Sequence, residues 1–131
     1  MAEEQTEPTM NLIFVYTRKQ AIEDGVLIDI TDTAREAGLR FPTAITATAW
    51  SEYVAVPDGV TGQDERGRLW DIVWMLRVAI AQQKVDGPQI LFELLVRNEE
   101  SRPPQLVSLK AIVVPGDNPD PVVTIMLPHE D

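Results

Sequence analysis

Two rhythms of apolar and polar residues divide this chain. From Asp64 to Lys84 the apolar positions, set out at about 100° per residue, cover nearly the whole circumference of a helix. That pattern predicts one long, central, buried helix. Asp64 and Glu65 suit its positive end, Lys84 suits its negative end, and Asp86-Gly87-Pro88 stops it. Trp70 and Trp74 share one side at i and i+4 and, with Trp50, are assigned to the core. Beyond Pro88 the period falls to two. Ile90, Phe92, Leu94 and Val96 alternate with Leu91, Glu93, Leu95 and Arg97, and the runs Leu106 to Val114 and Val122 to Leu127 are rich in β-branched residues. Arg102-Pro103-Pro104 and the Pro115–Pro121 stretch read as turns, too short for parallel crossovers, so the three strands are expected to pair antiparallel.

The first half reads as short elements. Asn11 to Tyr16 is extended, and Thr17 is an N-cap with Gln20 in the capping-box position. A helix over Arg18 to Asp24 stops at Gly25 in the left-handed conformation. Val26 to Ile30 is extended, Thr31-Asp32-Thr33 opens a second helix that Gly38 ends, and Pro42 opens a third, over Thr43 to Val54. Pro57 to Gly62 is a loop. The expected architecture is therefore α+β: several short helices and one long buried helix packed on a C-terminal three-stranded antiparallel meander. Residues 1–9 read as a disordered acidic tail and 10–131 as a single α+β domain.

Charge and composition remove many chemistries. Twenty-one Asp and Glu oppose 11 Lys and Arg, a formal charge of −10, and no cysteine is present. Disulfides, thiolate metal sites and a Cys nucleophile are excluded. Without a Lys/Arg cluster to displace counterions, direct nucleic-acid binding is not expected. The acidic start lacks the basic, then apolar, pattern of an export signal. The longest nearly apolar run, Leu69 to Ala81, would reach only about 20 Å as a helix, short of a ~30 Å hydrocarbon layer. The expectation is a soluble, cytoplasmic protein with no membrane partner and no cofactor.

Two stretches resemble a known family. Tyr16 to Asp29, continuing through Ala34-Arg-Glu-Ala-Gly38 and Phe41-Pro42 to Trp50, is similar to the start of a family of small uncharacterised proteins. Leu109-Lys110, Pro115-Gly-Asp117 and Thr124-Ile-Met-Leu-Pro128 are similar to that family's close. Its members are usually encoded on plasmids, phages and integrative elements. The resemblance implies a genetic setting and supplies no catalytic residue.

The remaining polar groups are weighed one by one. His129, the single histidine, follows Pro128 at an acidic terminus expected to fray, a poor place to orient an imidazole. Asp29, Asp32 and Glu36 could form an all-oxygen cation site, but capping by Asp32 and dipole complementation by Glu36 explain them better, so no metal is expected. Asp71 and Glu93 lie in apolar runs, where a carboxyl suited to acid–base work would sit. Arg68 and Lys110 are expected to pair with them, which argues against that role.

Tyr16, Arg18, Asp24 and Asp29 form the densest polar group near a turn, a candidate small-molecule or peptide pocket with Arg18 receiving an anion. Residues 21–65 hold nine acids against Arg35 and Arg40, a net −7. Glu23, Asp24, Asp32 and Glu36 are the candidate partner contacts on such a face, which would attract a basic protein and repel nucleic acid. The leading expectation is thus a non-enzymatic acidic interaction protein of a mobile genetic element, a modulator or decoy of a host nucleic-acid-handling or defence protein. The alternative is a small-molecule-binding protein or hydrolase using the Tyr16–Asp29 region. The outer sheet face, with Leu91 and Leu95 beside Glu93 and Arg97, is apolar enough to suggest a homodimer.

Overall fold

A computed structural model describes residues 17–82, 87–118 and 120–130. The acidic tail, the Asn11–Tyr16 extended segment, Lys84 and Asp86 lie outside the described residues. Among the described residues, four helices and five strands follow in the order α1 (Arg18–Glu23), β1 (Leu27–Asp29), α2 (Thr31–Glu36), β2 (Thr43–Thr46), α3 (Ala47–Tyr53), α4 (Glu65–Gln82), β3 (Gln89–Val96), β4 (Gln105–Pro115) and β5 (Pro121–Met126). The protein is α+β, and its sheet has five strands in the order β1-β2-β5-β4-β3. β3, β4 and β5 pair antiparallel in sequence order, with Phe92 opposite Leu109 and Ala111 opposite Ile125. The sheet continues past β5, however, through β2, which is parallel to it (Ile45 opposite Ile125), and then antiparallel β1. The expected three-stranded sheet is therefore a five-stranded mixed one.

The difference arises at Thr43–Thr46, read from sequence as the first turn of a helix. Thr46 does two jobs there. Its backbone closes β2, and its hydroxyl accepts from the Ala49 amide at 3.1 Å as the N-cap of α3, so strand passes into helix without a loop. The β-branched Thr43, Ile45 and Thr46 favour this extended stretch. Thr43 is fully buried, its amide donating to the Thr31 hydroxyl and its own hydroxyl to the Phe41 carbonyl.

Elsewhere local chemistry behaves as read. Thr17 and Gln20 form the capping box, with side-chain bonds of 3.0 Å in both directions. Gly25 follows α1 with φ +78° and Gly38 follows α2 with φ +98°, where an L side chain would be strained. The cap of α2 differs from the expectation. Asp29, rather than Asp32, accepts from the Thr31 amide at 3.0 Å, and Glu36 is the last residue of α2, at the negative end of its dipole.

One core lies between α4 and the sheet. Leu69, Ile72, Val73 and Leu76 form a stripe at i, i+3, i+4 and i+7 that packs on Ile45, Phe92, Leu94, Leu109, Ala111 and Ile125. Only that stripe and Arg68 are buried on α4. Trp70 and Trp74 remain 36% and 45% exposed, and Trp50 is half-buried at the edge of the core. The expectation that all three tryptophans are core fails because α2 and α3 are too short to cover the outer side of α4. Among the described residues no helix is long and apolar enough to cross a membrane.

Candidate functional site

α2, Trp50 of α3, the end of the loop before α4 and the first turns of α4 line a cleft of about 1200 Å³. Asp64 starts α4 by accepting from the Gly67 amide at 2.7 Å. That turn sets Glu65, Arg68, Trp70 and Asp71 along one wall, while Glu36, Thr33 and Trp50 supply the other. Trp70 stacks on Trp74 with ring centroids 6.0 Å apart and planes 13° from parallel, leaving an indole surface in the open.

Arg68 holds the floor of this cleft together. It is 5% exposed, and its guanidinium donates to the Tyr53 carbonyl (3.1 Å), the Arg97 carbonyl (2.9 Å), Gln63 Oε1 (3.1 Å) and Asn98 Oδ1 (2.6 Å). Those four bonds tie α3, the following loop and the β3–β4 connection to α4. Burial pushes its pKa down, the mark of a cation removed from water. The expected Arg68–Asp71 pair does not form. The Asp71 carboxyl instead faces the cleft, with its pKa raised by desolvation. Glu93 likewise lacks the expected partner, because the register sets it opposite Ser108 and sets Leu91 opposite Lys110. Lys110 is 8% exposed, and its side chain makes no hydrogen bond or ion pair among the described residues.

The Tyr16–Asp29 group divides. Tyr16 lies outside the described residues. Arg18 is half-buried and donates to Thr124 Oγ1 at 2.6 Å and the Val123 carbonyl at 2.7 Å. Desolvation lowers its pKa against the opposing pull of Asp29 and Asp117. Asp117, in the β4–β5 turn, accepts from the Arg18 and Lys19 amides at 2.8 and 3.1 Å and so fixes the start of α1. Sequence reading missed that role, although the Gly116–Asp117 pair carries a signal: a Cβ at Gly116 would meet Val122 at 2.7 Å, so this turn tolerates only glycine before the aspartate. A shallow cleft of about 380 Å³ joins Arg18, Lys19, Glu23, Asp29 and Asp117.

The candidate partner residues are not one patch. Glu23 lines that shallow cleft, Glu36 lines the tryptophan cleft, and Asp24 and Asp32 are exposed at the ends of α1 and α2. The tryptophan cleft, with its exposed indoles, was also missed. Its signal was the Trp70/Trp74 spacing, which fits a surface pair as well as a core pair.

Among the described residues no three His, Cys, Asp or Glu side chains are grouped to hold a metal ion. His129 is exposed, yet the terminus around it is not a frayed end. Glu130 accepts from the Thr46 hydroxyl and the Leu127 amide, both at 2.8 Å.

Comparisons with curated proteins and with solved structures gave no match. A family model does match, over residues 6–131, and with nearly the whole sequence covered, the chain belongs to the family of unknown function DUF6573.

Proposed function

We propose that this protein is a non-enzymatic binding protein whose tryptophan cleft receives a basic segment of a partner protein. The observation that carries the reading is the exposed, stacked Trp70–Trp74 pair beside the carboxylates of Glu36, Glu65 and Asp71. A Lys or Arg side chain over an indole gains roughly 0.5–2 kcal/mol, and neighbouring carboxylates add to it. Exposed tryptophans in a concave site are also what binding hot spots are made of. The formal charge of −10 would steer such a partner in.

Two helix ends support the same reading. Glu23 closes α1 and Glu36 closes α2, each at the negative end of its helix. Negative charge there costs a few tenths of a kcal/mol, so fold stability does not account for it. In its most specific form, the protein belongs to a mobile genetic element and modulates a host nucleic-acid-handling protein, offering carboxylates where phosphates would sit. Self-association is a further part of the proposal. Leu95 and Leu106, opposite each other on β3 and β4, are 63% and 62% exposed, and a second copy would cover them.

Titration with an arginine-rich peptide, followed by tryptophan fluorescence, tests the binding reading. Saturable binding should weaken as salt rises. Trp70→Ala and Glu36→Gln/Asp71→Asn should each weaken it about tenfold, with the melting temperature retained. Amides at Glu23, Asp24 and Asp32 should slow association only. Equal binding by the wild type and all these variants would end the proposal.

A further inference from the structure

We infer that the cleft under the C-terminal end of α4 is a second binding site, for an apolar molecule that carries a single carboxylate. This cleft, of about 650 Å³, is separate from the tryptophan cleft, which lies at the other end of the same helix. Its floor is Ile90, Val113 and Val123 of the sheet, and Leu39, Ile80 and Ala81 form the walls. Its mouth carries Arg40 and Arg77, and no Asp or Glu lines it among the described residues. On a chain with formal charge −10, that is a local reversal of sign at a largely apolar concavity.

The two arginines are not occupied by the fold. Neither side chain makes a hydrogen bond or ion pair among the described residues. Arg77 is nevertheless held in place. Its side chain lies across Gly38, where a Cβ would collide with the Arg77 Nε. A glycine is required at that point by its φ of +98°, and the room it leaves is filled by the arginine. Phe41 and Ile80, 44% and 36% exposed, flank the mouth.

Charge complementarity and apolar walls together select the ligand. The walls reward burial of a hydrocarbon or aromatic body. Guanidinium forks at the mouth match a carboxylate, which they can bind through paired N–H groups. A bare inorganic anion would leave the walls unused, and an apolar cation would meet two like charges.

Calorimetry with decanoate, kept below its micelle concentration, tests the site against decyltrimethylammonium, a chain of equal length and opposite sign. Decanoate should bind at 1:1 stoichiometry and about tenfold tighter than the cation, the scale expected of two partly screened ion contacts. The methyl signals of Leu39, Ile80, Ile90 and Val123 should shift in an NMR titration. The double variant Arg40→Gln/Arg77→Gln, which alters only exposed side chains, should melt as the wild type and bind both probes alike. No saturable decanoate binding, equal affinity of the wild type for the two probes, or a double variant that keeps the preference would each overturn the inference.

Discussion

Replacing Arg68 by alanine removes a side chain that joins α3, α4 and the β3–β4 connection, and its cost can be worked from the bonds it makes. Four hydrogen bonds are lost. The Tyr53 and Arg97 carbonyls are left without that donor in a part-buried setting. A net hydrogen bond contributes about 1 kcal/mol, more when one partner is charged, and an orphaned buried acceptor costs about 1–3 kcal/mol. Against this, the variant no longer holds a guanidinium out of water, a cost visible in its lowered pKa. The balance is a loss of roughly 3–4 kcal/mol, a large part of the 5–15 kcal/mol that stabilises a domain.

At about 2.1 cal/mol/K of unfolding entropy per residue, that loss lowers the melting temperature by roughly 11–15 °C for a chain of 131 residues. Arg68→Lys keeps the charge but cannot reach four acceptors from one ammonium, so it should lose about half as much. Urea unfolding followed by tryptophan fluorescence and thermal melting followed by circular dichroism give both numbers. A loss under about 1 kcal/mol for Arg68→Ala would mean that the loops on either side of Arg68 are held by something else, and the hub would have to be abandoned.

Thr17→Ala should cost about 1 kcal/mol, because the Gln20 amide loses the Thr17 hydroxyl as its acceptor, and unchanged urea stability would show that α1 does not depend on it. Trp74→Ala should be nearly neutral for stability, well under the 3–5 kcal/mol of a core tryptophan, since its ring is 45% exposed; a core-sized loss in a melting experiment would contradict that placement. Glu100 accepts from the Thr61 amide and hydroxyl, and those bonds, helped by Arg97, hold its carboxyl below the usual glutamate range. Its contribution to stability is therefore fully present above the unfolded value near 4.5 and is lost as pH falls through the lower folded value. An NMR titration of the Glu100 carboxyl should show that low midpoint, and a midpoint in the ordinary range or above would refute the tie.

What was legible in the sequence is what a few neighbouring residues decide among themselves. Thr17 with Gln20, Gly25, Gly38 and the alternation from Ile90 to Val96 each act within a turn or two, and each is found where the pattern puts it. β2 was misread because its strand state depends on pairing with Val123–Ile125, which lie about eighty residues further along the chain. Thr43-Ala-Ile-Thr46 alone does not choose between helix and strand. The side of α4 that faces solvent was misjudged for a related reason: the helix is apolar nearly all round, and only the extent of α2 and α3 decides which indoles are covered. Three of the four Arg68 partners lie 15 to 30 residues away and those of Asp117 98 to 99, so their roles appear only in three dimensions. The candidate site suffered most. Glu36 was named for its charge, but the tryptophans that give that charge a setting were assigned to the core.

The central claim, that the tryptophan cleft receives a basic segment, is tested most directly by the indole N–H signals in a nitrogen-15 spectrum. The protein has three tryptophans, so three such signals report on the cleft and its neighbour alone. On addition of an arginine-rich peptide at low salt, the Trp50 and Trp70 signals should move progressively and saturate, with Trp74 following through its stacked contact. Raising the salt should reverse the shifts, as the Debye length shortens from about 30 Å at 0.01 M to about 8 Å at physiological ionic strength. Indole signals that stay fixed while backbone amides elsewhere respond to the peptide would contradict the claim and move the basic partner to another surface.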